Sequence, residues 1–181
     1  MASPYLVPVA ALLRDVPSSI KVDFEAPFDE RGEFEARGAS ETDVFGEASV
    51  HVALRIESFS GGIRAKGRVG APWHGICRRC SAPVLGVSEV AVSERFVEHP
   101  EASDEMSYAI ENNFIDLAPL VHDAILLELP LAPLCRPDCR GLCPQCGIDR
   151  NESTCSCQAP KDPRWDRLDG LQFADPESEG S

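Results

Sequence analysis

The chain has 181 residues, enough for one domain with a small appendage, and its 43% hydrophobic and 26% charged composition excludes a wholly disordered or fibrous protein. Thirty acidic against seventeen basic residues leave a net charge of −13, which excludes attachment to nucleic acid by bulk charge and confines any phosphate contact to a local basic face. No membrane span is expected, because the longest apolar stretch, Leu117 to Leu127, is broken by Pro119, His122 and Asp123.

The chain start carries no positive segment before its short apolar part, so a signal peptide is not expected, and the reading is a cytoplasmic protein whose cysteines escape disulfide formation. Val9 to Val16 reads as a short helix ended by Pro17, with Ala10, Leu13 and Val16 on one face. The period then changes. Ile20 to Phe24 alternates apolar with charged residues, Gly32 to Ala36 is a weaker copy, and Ala48 to Ile56 alternates for a full strand. Ser60-Gly61-Gly62 reads as a hairpin turn into a returning strand, Ile63 to Val69, whose period of two places Arg64, Lys66 and Arg68 on one exposed face. Val84 to Val97 gives one or two more strands, followed by an acidic loop from Glu98 to Ser107. Tyr108-Ala-Ile leads through Asn112-Asn113 to Ile115, and Asp116 is placed to cap a helix near 117–129 striped by Leu117, Leu120, Val121, Ala124 and Leu127. Leu129-Pro130 stops it.

The expected fold class is α+β: a β-rich antiparallel domain, barrel-like or sandwich-like, with an N-terminal short helix and a packing helix over residues 1–132. A cysteine-rich zinc-binding appendage follows over 133–171, and 172–181 is expected to be a disordered acidic tail.

Charge is segregated along the chain. Asp23 to Glu47 holds nine acidic and two basic residues, and Glu89 to Glu128 ten and one, whereas Arg55 to Cys80 has Arg55, Arg64, Lys66, Arg68, Arg78 and Arg79 against Glu57 alone. Arg64, Lys66, Arg68, Arg78 and Arg79 are therefore the candidate RNA contacts. The acidic stretches support a second reading, a chaperone-like adaptor that holds a basic protein.

The eight cysteines fall into four close pairs, Cys77 and Cys80, Cys135 and Cys139, Cys143 and Cys146, Cys155 and Cys157. Structural zinc takes four thiolates in a tetrahedron, and a Cys-x-x-Cys turn supplies two from one loop. Cys143-Pro-Gln-Cys146-Gly147 is a zinc knuckle in form, and Cys155-Ser-Cys157 is the economical second half because the loop between them is short. These four are assigned to one zinc, and Cys77, Cys80, Cys135 and Cys139 to a second that ties the appendage to the β domain. Three groupings of four pairs remain open to the sequence, and His74 is an alternative to one thiolate. The sharp rival is thiol oxidoreductase chemistry at Cys77-Arg-Arg-Cys80, disfavoured because strand-like segments flank the motif where a redox Cys-x-x-Cys opens a helix. His51, His99 and His122 read as solvated or packed side chains, and no phosphate-cradling or nucleophile motif occurs, so no enzyme is expected.

Two stretches together resemble a known family. The basic strand running into Cys77-Arg-Arg-Cys80, and the later run from Leu129 through Cys135, Cys139, Cys143, Cys146, Asn151 and Cys155-Ser-Cys157 to Asp162-Pro-Arg-Trp-Asp-Arg-Leu, resemble the YceD family, the large ribosomal RNA subunit accumulation proteins of bacteria and plastids. The resemblance covers about Leu6 to Leu171. It implies a non-enzymatic part in ribosome biogenesis, in making or preserving 23S ribosomal RNA. Large-subunit ribosomal RNA or its precursor is the implied partner, and a basic large-subunit ribosomal protein the alternative one.

Overall fold

The computed structural model describes residues 3–28, 42–44, 48–99, 107–158 and 164. The chain divides into two compact units, Met1–Cys139 and Arg140–Ser181.

The first unit is built on β strands, in order β1 (Leu6–Pro8), β2 (Ser19–Pro27), β3 (Thr42–Asp43), β4 (Ser49–Phe59), β5 (Gly62–Ile76), β6 (Pro83–Val97), β7 (Ser107–Glu111) and β8 (Phe114–Asp116), with helices α1 (Ala10–Arg14) and α2 (Ala118–Glu128). They form one curled, half-barrel sheet in the order β1-β8-β7-β6-β5-β4-β2, with β3 added to the far end of β5. It is neither two stacked sheets nor wholly antiparallel, since β7 joins β6 in parallel at Arg95↔Ser107.

Period-two patterning makes the central strands. Val50, Val52, Leu54 and Ile56 of β4 and Ile63, Ala65, Val69 and Ala71 of β5 are buried, while the intervening charged residues face outward. The β4–β5 hairpin turns through Gly61 and Gly62 at φ +122° and +150°, and a side chain at Gly62 would strike the Phe96 carbonyl. Val84 to Val97 is one strand, paired with β5 from Ile63↔Phe96 to Ile76↔Pro83. Asn112 and Asn113, both at positive φ, turn β7 into β8.

α1 packs on β4 and β5 and α2 on β5 and β6. The first helix is shorter than expected. The Val9 N–H donates to the Asn113 carbonyl at 2.8 Å, so the chain up to Val9 is spent on β1, and Leu12 is buried whereas Val16 is 47% exposed. In α2 an Asp116 carboxylate oxygen accepts from the Ala118 N–H at 3.0 Å. The expected stripe is corrected at one end: Leu117, Leu120, Val121, His122 and Ile125 are buried, but Leu127 is 87% exposed. At about 100° per residue Leu127 lies on the far side of the helix from Ile125. His122 is packed, stacked on Phe28 at 4.7 Å between ring centroids.

Gly32 to Ala36, the stretch 100–106 of the acidic loop and the tail 172–181 lie outside the described residues. Among the described residues, no helix is long and apolar enough to cross a membrane.

Candidate metal centres and a cationic sheet face

The structure gathers the eight cysteines into two groups, Cys77, Cys80, Cys135 and Cys139 in the first unit and Cys143, Cys146, Cys155 and Cys157 in the second, with the sulfurs of each group within 4.8 Å of one another. Neither group includes His74.

Both groups start from the same backbone device. The β5–β6 connection folds so that the Cys77 N–H donates to the Ala82 carbonyl at 2.7 Å and the Ser81 N–H to the Cys77 carbonyl at 2.8 Å. In the second unit the Cys143 N–H donates to the Ile148 carbonyl at 2.8 Å and the Gly147 N–H to the Cys143 carbonyl at 2.9 Å. Ser81 and Gly147 occupy the same left-handed position, at φ +60° and +73°. These turns aim amides at sulfur. Burial opposes ionisation of Cys77, but the amides of Cys135, Arg79 and Cys80 outweigh it and hold the pKa down at about 6. For Cys143 the amides of Cys146 and Gln145 do the same, again to about 6.

Cys80, Cys135, Cys155 and Cys157 are pushed the other way. Burial, then hydrogen bonding with Cys139, Cys80 and Cys77, pushes Cys135 up to about 12, and Cys157 rises to about 12 chiefly through Cys146, then burial. Four thiolates so close repel one another, and a bound cation removes that penalty. The spacing fits one. Sulfurs held at about 2.3 Å from a tetrahedral ion sit roughly 3.8 Å apart. Cys77 and Cys139 are separated by 3.8 Å and Cys80 and Cys135 by 3.6 Å, far beyond a disulfide bond of about 2.05 Å.

The surroundings of the two centres differ. In the first, Cys77 and Cys139 are buried against Ala82, Val84 and Leu134, and the Arg78 N–H donates to the Pro133 carbonyl at 3.0 Å. The Arg79 guanidinium donates to the Cys139 carbonyl at 2.9 Å. In the second, Cys146 and Cys157 are exposed. Its loop is held by Asp149 and Asn151: Asp149 Oδ1 accepts from the Asn151 N–H at 2.8 Å, and Asn151 Oδ1 accepts from the Arg140 N–H at 2.8 Å.

The candidate RNA contacts do not form one cluster. Arg64, Lys66 and Arg68 share the outward face of β5, as the alternation predicts. Arg78 and Arg79 lie beyond the other end of that strand, Arg78 roughly 30 Å along the chain from Arg68 at about 3.3 Å per residue. The register adds cations that no local pattern reveals. Lys21 of β2, Arg55 of β4 and Lys66 of β5 stand in one cross-strand row, and Arg64 faces Arg95 of β6 in the next. Some are tied locally: Arg55 donates to the Ser19 hydroxyl at 3.1 Å and lies 3.8 Å from Glu57, Arg68 pairs with Glu89, and Arg64 sits over the Phe59 ring at 5.5 Å. The two rows nearest the β4–β5 turn hold Lys21, Arg55, Lys66, Arg64 and Arg95 against Glu57 alone. Toward the other end of the face come Asp23, Glu25, His51 and Glu89. His51 is held by Asp23 at 2.9 Å.

Comparison with known proteins places this geometry in a family. The family model described as large ribosomal RNA subunit accumulation protein YceD matches residues 65–172. An uncharacterized protein of Mycobacterium tuberculosis is 41% identical over 137 residues, covering 73% of this chain, which spans only 65% of that relative's length. An uncharacterized protein of Mycobacterium leprae is 30% identical over 92% of this chain and 72% of its own. The chloroplastic large ribosomal RNA subunit accumulation protein YCED homolog 1 of Zea mays is 36% identical over 56 residues, 30% of this chain and 19% of its own. No solved structure matches. The chain belongs to the YceD family of large ribosomal RNA subunit accumulation proteins.

Proposed function

We propose that the chain is a non-enzymatic cytoplasmic factor for the synthesis, processing or stability of large-subunit ribosomal RNA, that it touches precursor RNA through the outward face of β4 and β5, and that both tetrathiolate centres hold structural zinc. The observation that carries the RNA contact is the cross-strand row Lys21, Arg55 and Lys66 with Arg64 and Arg95 beside it: five cations on one open face of an otherwise acidic protein. Among the described residues, these cross-strand rows are where an RNA strand approaching a chain of net charge −13 would meet grouped cations.

Arg64, Lys66 and Arg68 are the contacts proposed on β5. Arg68 must leave Glu89 to reach phosphate, so Lys66 and Arg64 carry more of the contact. Arg79 is assigned instead to the first metal centre, where its guanidinium braces the Cys139 carbonyl, and Arg78 stands at the edge of that centre.

Zinc fits the donor set, since four thiolates at tetrahedral spacing suit a soft-ligand structural site and leave no open position for a substrate. Bound, it would offset half of the thiolate charge and fix the fold. Cys77, Cys80, Cys135 and Cys139 would then lock the β5–β6 turn to the segment after α2, and the other four would form the core of the second unit.

Ultraviolet crosslinking in growing cells, followed by sequencing of the recovered RNA, tests the reading. Large-subunit precursor segments are expected, with loss on replacing Arg64, Lys66 and Arg68 by Glu. No enrichment over a mock control overturns it.

A further inference from the structure

The second edge of β6 takes no part in the cationic face or in either cysteine group. β5 runs along one side of β6 for its whole length, but on the other side β7 covers only Arg95, Phe96 and Val97. Among the described residues, positions 83–94 face no strand on that side, leaving an edge of roughly 35 Å whose alternate N–H and C=O groups point outward. Such edges are usually guarded by lysine, proline or a bulge. Here Pro83 guards one end, and no lysine or arginine occurs from Ser81 to Glu94. The outward face carries Leu85 and Val87, 79% and 75% exposed, far more than a solvated strand needs.

Two carboxylates stand beside the end of the edge nearest β7. Glu94, on the inward face, and Asp123 of α2 both act on Tyr108, whose pKa is pushed up to about 12 by burial first and then by those two carboxylates. Neither carboxylate pairs with a cation among the described residues.

We propose that this edge is a strand-addition site for an extended basic segment of a partner protein. The segment pairs its backbone with β6, lays aliphatic side chains on Leu85 and Val87, and brings cations to Glu94 and Asp123. Charge selects the partner. A second copy of this chain carries −13 and is repelled, whereas a basic chain is attracted and steered. The site is independent of the cationic face and stands whether or not that face binds RNA.

The test uses the full metal-bound chain and a fluorescein-labelled nonapeptide alternating valine and lysine, read by anisotropy. Two further peptides are N-methylated at alternate residues, one in each frame, so that one loses the donors facing β6 and the other keeps them. Saturable binding is expected for the parent peptide, at least tenfold weaker binding for one methylated frame, and near-parent binding for the other. Leu85→Ser with Val87→Ser, both exposed and so harmless to the fold, should weaken binding about tenfold, and Glu94→Gln should reduce its salt dependence. Equal binding by both methylated frames, or binding unmoved by the serine pair, means charge association without strand pairing and overturns the proposal. Absence of binding overturns it too, and self-association of the chain through this edge gives the site to a second copy.

Discussion

The two cysteine centres begin with the same turn and solve different problems. In the first, Cys80 and Cys135 are separated by 55 positions of chain, and the group joins β5 and β6 to the chain leaving α2, with Cys77 and Cys139 buried under Leu134 and Val84. In the second, all four cysteines fall between Cys143 and Cys157, and Cys146 and Cys157 are open to solvent. With zinc bound as proposed, the first centre would be a clasp on a fold that has its own hydrophobic core, while the second would stand in for a core in the smaller unit.

That contrast is open to test, the largest effect first. Cys143→Ser removes a thiolate from the unit proposed to depend on zinc, and structural zinc supplies roughly 10 to 16 kcal/mol in small finger peptides. Two zinc ions per chain should fall to one, and amide signals from residues 140–158 should collapse while those of the sheet persist; elemental analysis with heteronuclear NMR reads both. A chain that keeps both metals and both folds abolishes the distinction. Chelation should follow the same order, with Cys146 and Cys157 becoming alkylated before Cys77 and Cys139, as mass spectrometry of partly stripped protein would show.

Within the sheet, Gly67→Ala sharpens the contrast from the other side. A β-carbon there would lie 2.2 Å from the Ala53 carbonyl, so about 2 to 3 kcal/mol of stability should be lost from the first unit, measured by denaturant unfolding, with zinc content unchanged. The smallest effects separate the two turns. Gly147→Ala meets no atom within 4 Å and should cost only the backbone strain of its positive φ, about 1 kcal/mol, whereas Ser81→Gly should stabilise its turn by up to a similar amount. Thermal unfolding of the two variants gives both signs.

Cysteine spacing makes the two groups of four legible in the sequence, because short loops strongly favour local partners and Cys143-Pro-Gln-Cys146-Gly147 writes its turn into its residues. The basic face was half legible. Period two exposes Arg64, Lys66 and Arg68, but Lys21 and Arg95 join them only through the β2–β4 and β5–β6 registers, which no local pattern encodes. β1 escaped notice because three residues ending in Pro8 carry no periodic signal. Leu127 looked like part of the α2 stripe because its spacing from Leu120 is helical, but the buried arc is centred on Val121 and Ile125. Arg79 reads as an RNA contact in the sequence, and only the fold brings its guanidinium to the Cys139 carbonyl.

Tyr5 has a mechanical meaning. An open sheet that begins at β1 and ends at β2 has a terminal strand as the margin at each side, and either can fray. The Tyr5 hydroxyl donates to the Pro27 carbonyl at 3.0 Å, and its ring meets Phe24 edge-on at 5.5 Å, so the residue that opens β1 is latched onto the last strand. The sheet then behaves as a hoop with one removable pin, and Tyr5→Phe, which keeps the ring and drops the hydroxyl, would loosen both margins at once.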